Sequence, residues 1–234
     1  MGESFTAAVT ALERASDSPG AWAVPFVTAF PVSGASVSTL GELLGSETVA
    51  ATDHLAARLD EKQFDLGEGP CWDAMRRGRP VLEPDFRRAA GAWPAFAAAI
   101  RDDPLSSLFA FPVLVGPLRI GAVDLYSVRP ARLDAAQAVQ AGALAGIVGR
   151  QLLRHALREA GLEDEVPANA FSRRVIHQAT GMVLAQLDVP ADDAHLIIQG
   201  HAFADSRPVL DVAQDIVRGT LGFRRGSEGI EVSG

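Results

Sequence analysis

The residues that could do chemistry in this chain are few, and their spacing rules out most of the chemistry. Cys71 is the one cysteine among 234 residues, which excludes an intrachain disulfide and any multi-cysteine zinc site. It lies in the glycine-punctuated run Phe64 to Met75, read as a loop leading into a short helix. Amide dipoles at such a place could lower a thiol pKa and make it a redox sensor, and a buried structural thiol is the plainer alternative. The five histidines, His54, His155, His177, His195 and His201, contain no i, i+4 pair of the zinc-binding kind. A glycine-flanked serine elbow is missing, and with Lys62 the one lysine there is no P-loop. Gly67-Glu68-Gly69 is too short and too acidic to cradle phosphate. The expectation is a protein with no catalytic constellation, no metal and no cofactor. Cys71 with Trp72, Trp93, Phe109, Phe111 and Tyr126 makes a candidate ligand pocket, against the alternative that these aromatic residues are core.

The elements that must carry these residues follow from periodicity. Phe5, Ala8, Val9 and Leu12 mark a short amphipathic helix. Val32, Ala35, Val37 and Thr39 partly alternate with polar residues, as in a half-buried strand that turns near Gly45-Ser46-Glu47 into a second strand, Thr48 to Ala51. Asp53 can cap a helix carrying Leu55, Ala56 and Leu59. Val81 to Glu83 reads as a strand, Trp93 to Ile100 as a helix, and Leu108 to Val115 with Arg119 to Ser127 as a hairpin. From Asp134 to about Glu159 runs the longest helical pattern, with Ala141, Ala145, Val148 and Leu152 on a coiled-coil-like seam. Gly142, Gly146 and Gly149 weaken that helix by roughly 1 kcal/mol each relative to alanine, so packing must hold it. Residues 162–169 break the pattern.

Beyond the break lie three amphipathic helical segments, about 170–187, 190–204 and 208–221, with Pro190 and Pro208 in first-turn positions and Asp188 and Ser206 as possible caps. Their apolar stripes are Ile176, Ala179, Val183 and Leu187; Ala194, Ile197, Ile198 and Ala202; and Leu210, Ala213, Ile216 and Val217. The whole is an α+β chain. An antiparallel sheet with flanking helices fills residues 1–160, the end of that region being the long connecting helix. A linker at 161–170, a three-helix bundle at 171–225 and a tail at 226–234 follow.

Charge bounds the partners. The net charge is −8, with 15 Lys/Arg against 21 Asp/Glu in residues 1–165 and six of each in residues 171–225. No segment offers a large electrostatic grip on a phosphate backbone. Apolar runs are far shorter than the roughly 20 residues a spanning helix needs. The amino terminus lacks the basic segment and apolar run of a signal peptide, so a cytoplasmic protein is expected.

Two stretches resemble known families. Val175 to Val183, with Ala179-Thr180-Gly181 at its centre, together with Ala194, Ala202, the Ser206-Arg207-Pro208 turn, Leu210 and Val212-Ala213, resembles the ANTAR domain. Leu66 to Cys71, Trp93-Pro94 and Ile120 to Ser127 resemble the GAF domains that precede ANTAR domains in actinobacterial regulators. The resemblance implies a transcription antitermination regulator: a GAF-type sensory domain, a signalling helix, and a bundle that binds hairpin loops in nascent transcripts. A homodimer through the 134–159 helix and the bundle is expected, answering to an unknown small molecule or upstream signalling protein. By the ANTAR pattern, Arg173, Arg174, His177, Gln178, Ala179, Thr180 and Gly181 face RNA, with Arg207 and Arg218 as phosphate contacts. Two small residues in one turn leave a notch for an unstacked base, and exposed loop bases are where RNA sequence is read. Gln199-Gly200 departs from the basic pair many relatives carry there. A dimeric protein-interaction or signalling module that binds no RNA is the alternative.

Overall fold

The computed structural model describes residues 2–41, 44–160, 174–225 and 230–233. They form two compact units, 1–172 and 173–234. The first unit opens with α1 (Glu3–Arg14) and α2 (Val24–Ala29). Next come β1 (Gly34–Thr39), β2 (Glu47–Ala51), α3 (His54–Leu66), α4 (Pro70–Arg77) and β3 (Val81–Glu83). The short helices α5 (Phe86–Ala89) and α6 (Pro94–Ala99), then β4 (Ser107–Val115), β5 (Leu118–Ser127) and the long α7 (Ala135–Ala160), complete it.

The five strands pair antiparallel in the order β2-β1-β5-β4-β3. Apolar side chains cover both faces. Phe26, Val37, Phe109, Phe111, Val123 and Leu125 join Leu144, Val148 and Leu152 of α7 in one core. Leu108, Ala110 and Tyr126 join Leu59, Ala74, Trp93 and Phe96 in the other. β1 is buried along its whole length and β5 from Ile120 onward, and even the polar residues of β1, Ser36, Ser38 and Thr39, are closed off. The expected half-buried strand is corrected on this point: helices on each face leave no solvent side for the alternation to mark.

Local chemistry explains the boundaries. Asp53 caps α3 by accepting from the amides of Leu55 and Ala56 at 2.9 Å. Gly67 closes α3 with φ of 59°, and Pro70 starts α4. Asp134 and Gln137 form a reciprocal cap at the start of α7, at 2.8 and 3.0 Å. The seam residues Ala141, Ala145, Val148 and Leu152 do not form a coiled-coil surface: all are buried against the sheet unit. Gly149 is where α7 meets β4, since a Cβ there would lie 2.9 Å from Val113 Cγ1 and 3.2 Å from the Leu114 carbonyl.

The second unit is α8 (Arg174–Leu187), α9 (Ala191–Ala204) and α10 (Val209–Arg218). Ile176, Ala179, Val183 and Leu187 are buried as expected, as are Ala194, Ile198 and Ala202. In α10 the core stripe is Val209, Val212, Ala213 and Ile216, one position off the expected stripe at its start, while Val217 is 38% exposed. Asp188 and Ser206 do not cap the starts of α9 and α10; they follow the ends of α8 and α9, where their amides donate back to the Leu184 and Phe203 carbonyls at 2.9 and 3.2 Å. They take left-handed backbone at φ of 53° and 54°, and Pro190 and Pro208 are the N-cap residues. Left-handed backbone costs a non-glycine residue roughly 1 kcal/mol, so Ser206→Gly is expected to raise the stability of this unit by about that amount in chemical denaturation.

The end of the expected bundle and part of the expected tail instead form β6 (Gly222–Arg225) and β7 (Ile230–Ser233), an antiparallel pair. Phe223 is buried, its amide donates to Gln186 Oε1 at 2.9 Å, and Arg225 Nε donates to the Leu187 carbonyl at 3.0 Å. This ribbon thereby closes the C-terminal end of α8. The expected linker, 161–170, lies outside the described residues.

Candidate functional site

In the helical unit the expected RNA-facing residues separate into three groups. His177, Gln178 and Gly181 are exposed along the outer side of α8. Ala179 is fully buried, because its position belongs to the core stripe of α8 and cannot also face a ligand. Thr180 is half-buried, and its hydroxyl donates back to the Ile176 carbonyl at 2.8 Å. Arg173 lies outside the described residues, as does the side chain of Arg174. No Cβ at Gly181 would meet any atom within 4 Å. An exposed mid-helix glycine with nothing packed on it weakens the helix by about 1 kcal/mol without any packing return.

The two expected phosphate contacts are engaged within the bundle. Arg207 holds Asp215 at 2.6 Å, and this bond keeps its guanidinium above even the usual arginine range. Arg218 bonds Gln214 Oε1 at 3.2 Å and lies 3.9 Å from Asp215. Sequence reasoning gave His195 no role, yet it sits beside the α8 surface. Its pKa is lowered by burial first and then by His177, against the pull of Asp192.

In the sheet unit the six candidate pocket residues are not brought together. Phe109 and Phe111 belong to the core under α7, whereas Trp93 and Tyr126 belong to the core under α3 and α6. Trp93 stacks on Phe86 with the rings 7° apart. Trp72 donates its indole N–H to the Gln63 carbonyl at 2.7 Å. Cys71 is buried in the first turn of α4, not in the loop before it. Tyr126 donates to Asp53 Oδ1 at 2.8 Å. Burial and that bond raise its phenol well above the usual range. Burial would lift the Asp53 carboxyl as well, but hydrogen bonds from Ala56 N, Thr52 Oγ1, Tyr126 Oη and Leu55 N together hold it below the usual carboxylate range.

What the sheet unit does assemble is a buried polar cluster between α3, α4, β2 and β5. Asp60, Gln63, Thr48 and Asp124 are each at most 5% exposed. Thr48 donates to Asp60, Gln63 Nε2 donates to Asp124 Oδ2, and Gln63 Oε1 accepts from the Cys71 amide at 2.9 Å. Asp124 Oδ1 has no partner. Burial first, and then the neighbouring Asp60, push the Asp124 carboxyl up to about 8, against the Gln63 bond. The signal for this cluster was available: the inward face of α3, Ala56, Leu59, Asp60, Gln63 and Phe64, includes two polar residues at core positions. The glycine loop serves it locally, since a Cβ on Gly69 would fall 2.5 Å from Gln63 Oε1.

Among the described residues no group of His, Cys, Asp and Glu could hold a metal ion, and no helix is long and apolar enough to cross a membrane. In fold, the chain is similar to the GAF domain of a phosphoenolpyruvate-protein phosphotransferase from Coxiella burnetii, with 15% identity, TM-score 0.53, and 68% of this chain and 96% of that one covered. It is similar to the same domain from Acinetobacter, with 14% identity, TM-score 0.53, and 70% and 100% covered. These likenesses concern the fold alone. No curated protein matches in sequence. The family model of the GAF domain matches residues 8–152, and that of the ANTAR domain matches residues 168–217. The first match spans more than half of the sequence, so the chain belongs to the GAF domain family and carries an ANTAR domain behind it.

Proposed function

We propose that this protein is a cytoplasmic, non-enzymatic antitermination regulator of the actinobacterial type, which reads exposed loop bases of hairpin RNA with the outer side of α8. The GAF unit takes the sensory role, answering to a small molecule or an upstream signalling protein, and the chain works as a homodimer. The observation that carries the RNA reading is Gly181: exposed, unpacked and mid-helix, with His177 and Gln178 on the same exposed side. A bare backbone beside two side chains rich in hydrogen-bonding groups suits an unstacked base. Ala179 and Thr180 act in this reading as the spacers that fix the helix, not as contacts.

Gly181→Ala separates function from folding. The substitution is expected to stabilise the helical unit by up to about 1 kcal/mol while weakening binding to a hairpin with short exposed loops, followed by fluorescence anisotropy. Unchanged RNA affinity in the stabilised variant would remove Gly181 from the interface. A second reading, a protein-interaction module that binds no RNA, is favoured by the engagement of Arg207 and Arg218 with Asp215 and Gln214 and by the charge balance of six to six. Absence of any hairpin binding at low salt by the full chain would decide for it.

A further inference from the structure

The inward stripe of α7 is used up by the sheet unit, but the helix has a second stripe. Val139, Ala143, Gly146, Arg150, Leu153 and Leu157 follow at intervals of four and three, the heptad spacing of a helix that packs along a partner helix. None of them is in the core. Val139 is 73% and Leu157 66% exposed, and Ala143 and Arg150 are exposed too. Val139 and Leu157 are large aliphatic side chains left in solvent at the two ends of one stripe, and a helix packed along that stripe would bury both.

The charges on α7 say which partner fits. Residues 135–149 contain no charged side chain at all, while the last part carries Arg150, Arg154, Arg158 and Glu159. Arg158 is ion-paired with Asp17 of its own chain and Arg154 acts on the same carboxylate, so it is the two Arg150 side chains on the stripe that parallel pairing would bring level, and like charges in register repel. Laid antiparallel, each arginine-bearing half lies along the partner's uncharged half, with Asp134 at its head.

Side-chain size gives the same answer. An antiparallel two-fold axis at residue 148 sets Val139 against the partner's Leu157, Ala143 against the partner's Leu153, and Gly146 against the partner's Arg150. Two of these three layers match a small residue with a long one. The Arg150 side chain already lies over the glycine, 3.9 Å from where a Gly146 Cβ would be. The two Arg150 residues are then offset by four residues, about 6 Å along the axis.

From this we infer that α7 pairs with α7 of a second copy of the chain, antiparallel and centred on Val148, through the outward stripe. The inference rests on the homodimer proposed above, narrows it to one face and one polarity, and does not depend on RNA.

Cross-linking of the full-length protein without RNA tests it. Tagged Val139→Cys and untagged Leu157→Cys proteins are mixed, allowed to exchange subunits and treated with a short bismaleimide. Cys71, 1% exposed, stays as it is. The mixed species is expected to dominate, with little product from either variant alone. Products of Val139→Cys with itself and of Leu157→Cys with itself would mean parallel pairing and would overturn the inference, as would a monomer in sedimentation. Leu157→Arg, at an exposed position that leaves the fold intact, is expected to weaken self-association roughly tenfold or more; an unchanged dissociation constant overturns the outward stripe. Hairpin RNA binding that survives a failed cross-link would leave the antitermination reading standing without this dimer.

Discussion

Replacing Asp124 by asparagine is expected to flatten the pH dependence of the GAF unit's stability and to make the protein more stable at pH 8 to 9. The unfolded chain gives up the Asp124 proton near 3.8, whereas the folded one holds it to about 8. Between these values the folded state binds more protons, so stability falls as pH rises through this window and levels off above it. A shift of this size sets an upper limit on the order of 6 kcal/mol. Asparagine is neutral throughout and keeps an oxygen for Gln63 Nε2. Urea titrations at pH 5, 7 and 9 measure the effect. Parallel stability profiles for wild type and variant would show that the pair does not share its interior as described.

Gly121→Ala is expected to be the most damaging single-methyl change in the chain. A Cβ at this position would lie 2.0 Å from the Ser38 carbonyl oxygen and 3.2 Å from Thr39 Cα, both backbone. Gly121 faces Thr39 across the β1–β5 pairing at the centre of the sheet. Backbone cannot step aside as a flexible side chain can, so the two central strands must separate, at about 3 kcal/mol or more. Gly91→Ala is the control, because nothing lies within 4 Å of its added methyl. Chemical denaturation should place that variant within about 0.5 kcal/mol of wild type. Equal effects from the two would mean that β1 and β5 do not approach as closely as described.

The sequence carried the fold wherever one physical rule governed a segment. Asp53 before an apolar helical stripe could only cap it, and Ile176, Ala179, Val183 and Leu187 could only be a buried face. It misled where two rules competed for the same residues. Ala141, Ala145, Val148 and Leu152 have the spacing of a coiled-coil seam, but the same spacing serves a helix packed on a sheet, and the sheet takes them. Ala179 belongs both to a small-residue notch and to a core stripe, and the core prevails. The aromatic residues grouped as one pocket are split because neighbouring strand positions point to opposite faces, which no local pattern assigns to one cavity. Arg207 and Arg218 carry charge in the sequence, but only the fold brings Asp215 to both. The Asp60 and Asp124 pair is likewise a tertiary fact, 64 positions apart in sequence.

RNA recognition by α8 is tested most directly by the affinity of the 234-residue chain for a paired-hairpin RNA with short exposed loops, measured over a salt series beside a duplex of equal length without loops. With Arg207 and Arg218 engaged, few phosphates are neutralised. The expected result is loop-dependent binding whose logarithm falls with log salt at a slope of about −0.7 to −2, one to three phosphate contacts at roughly −0.7 each. Equal affinity for the loopless duplex, or no binding at the lowest salt, would contradict it.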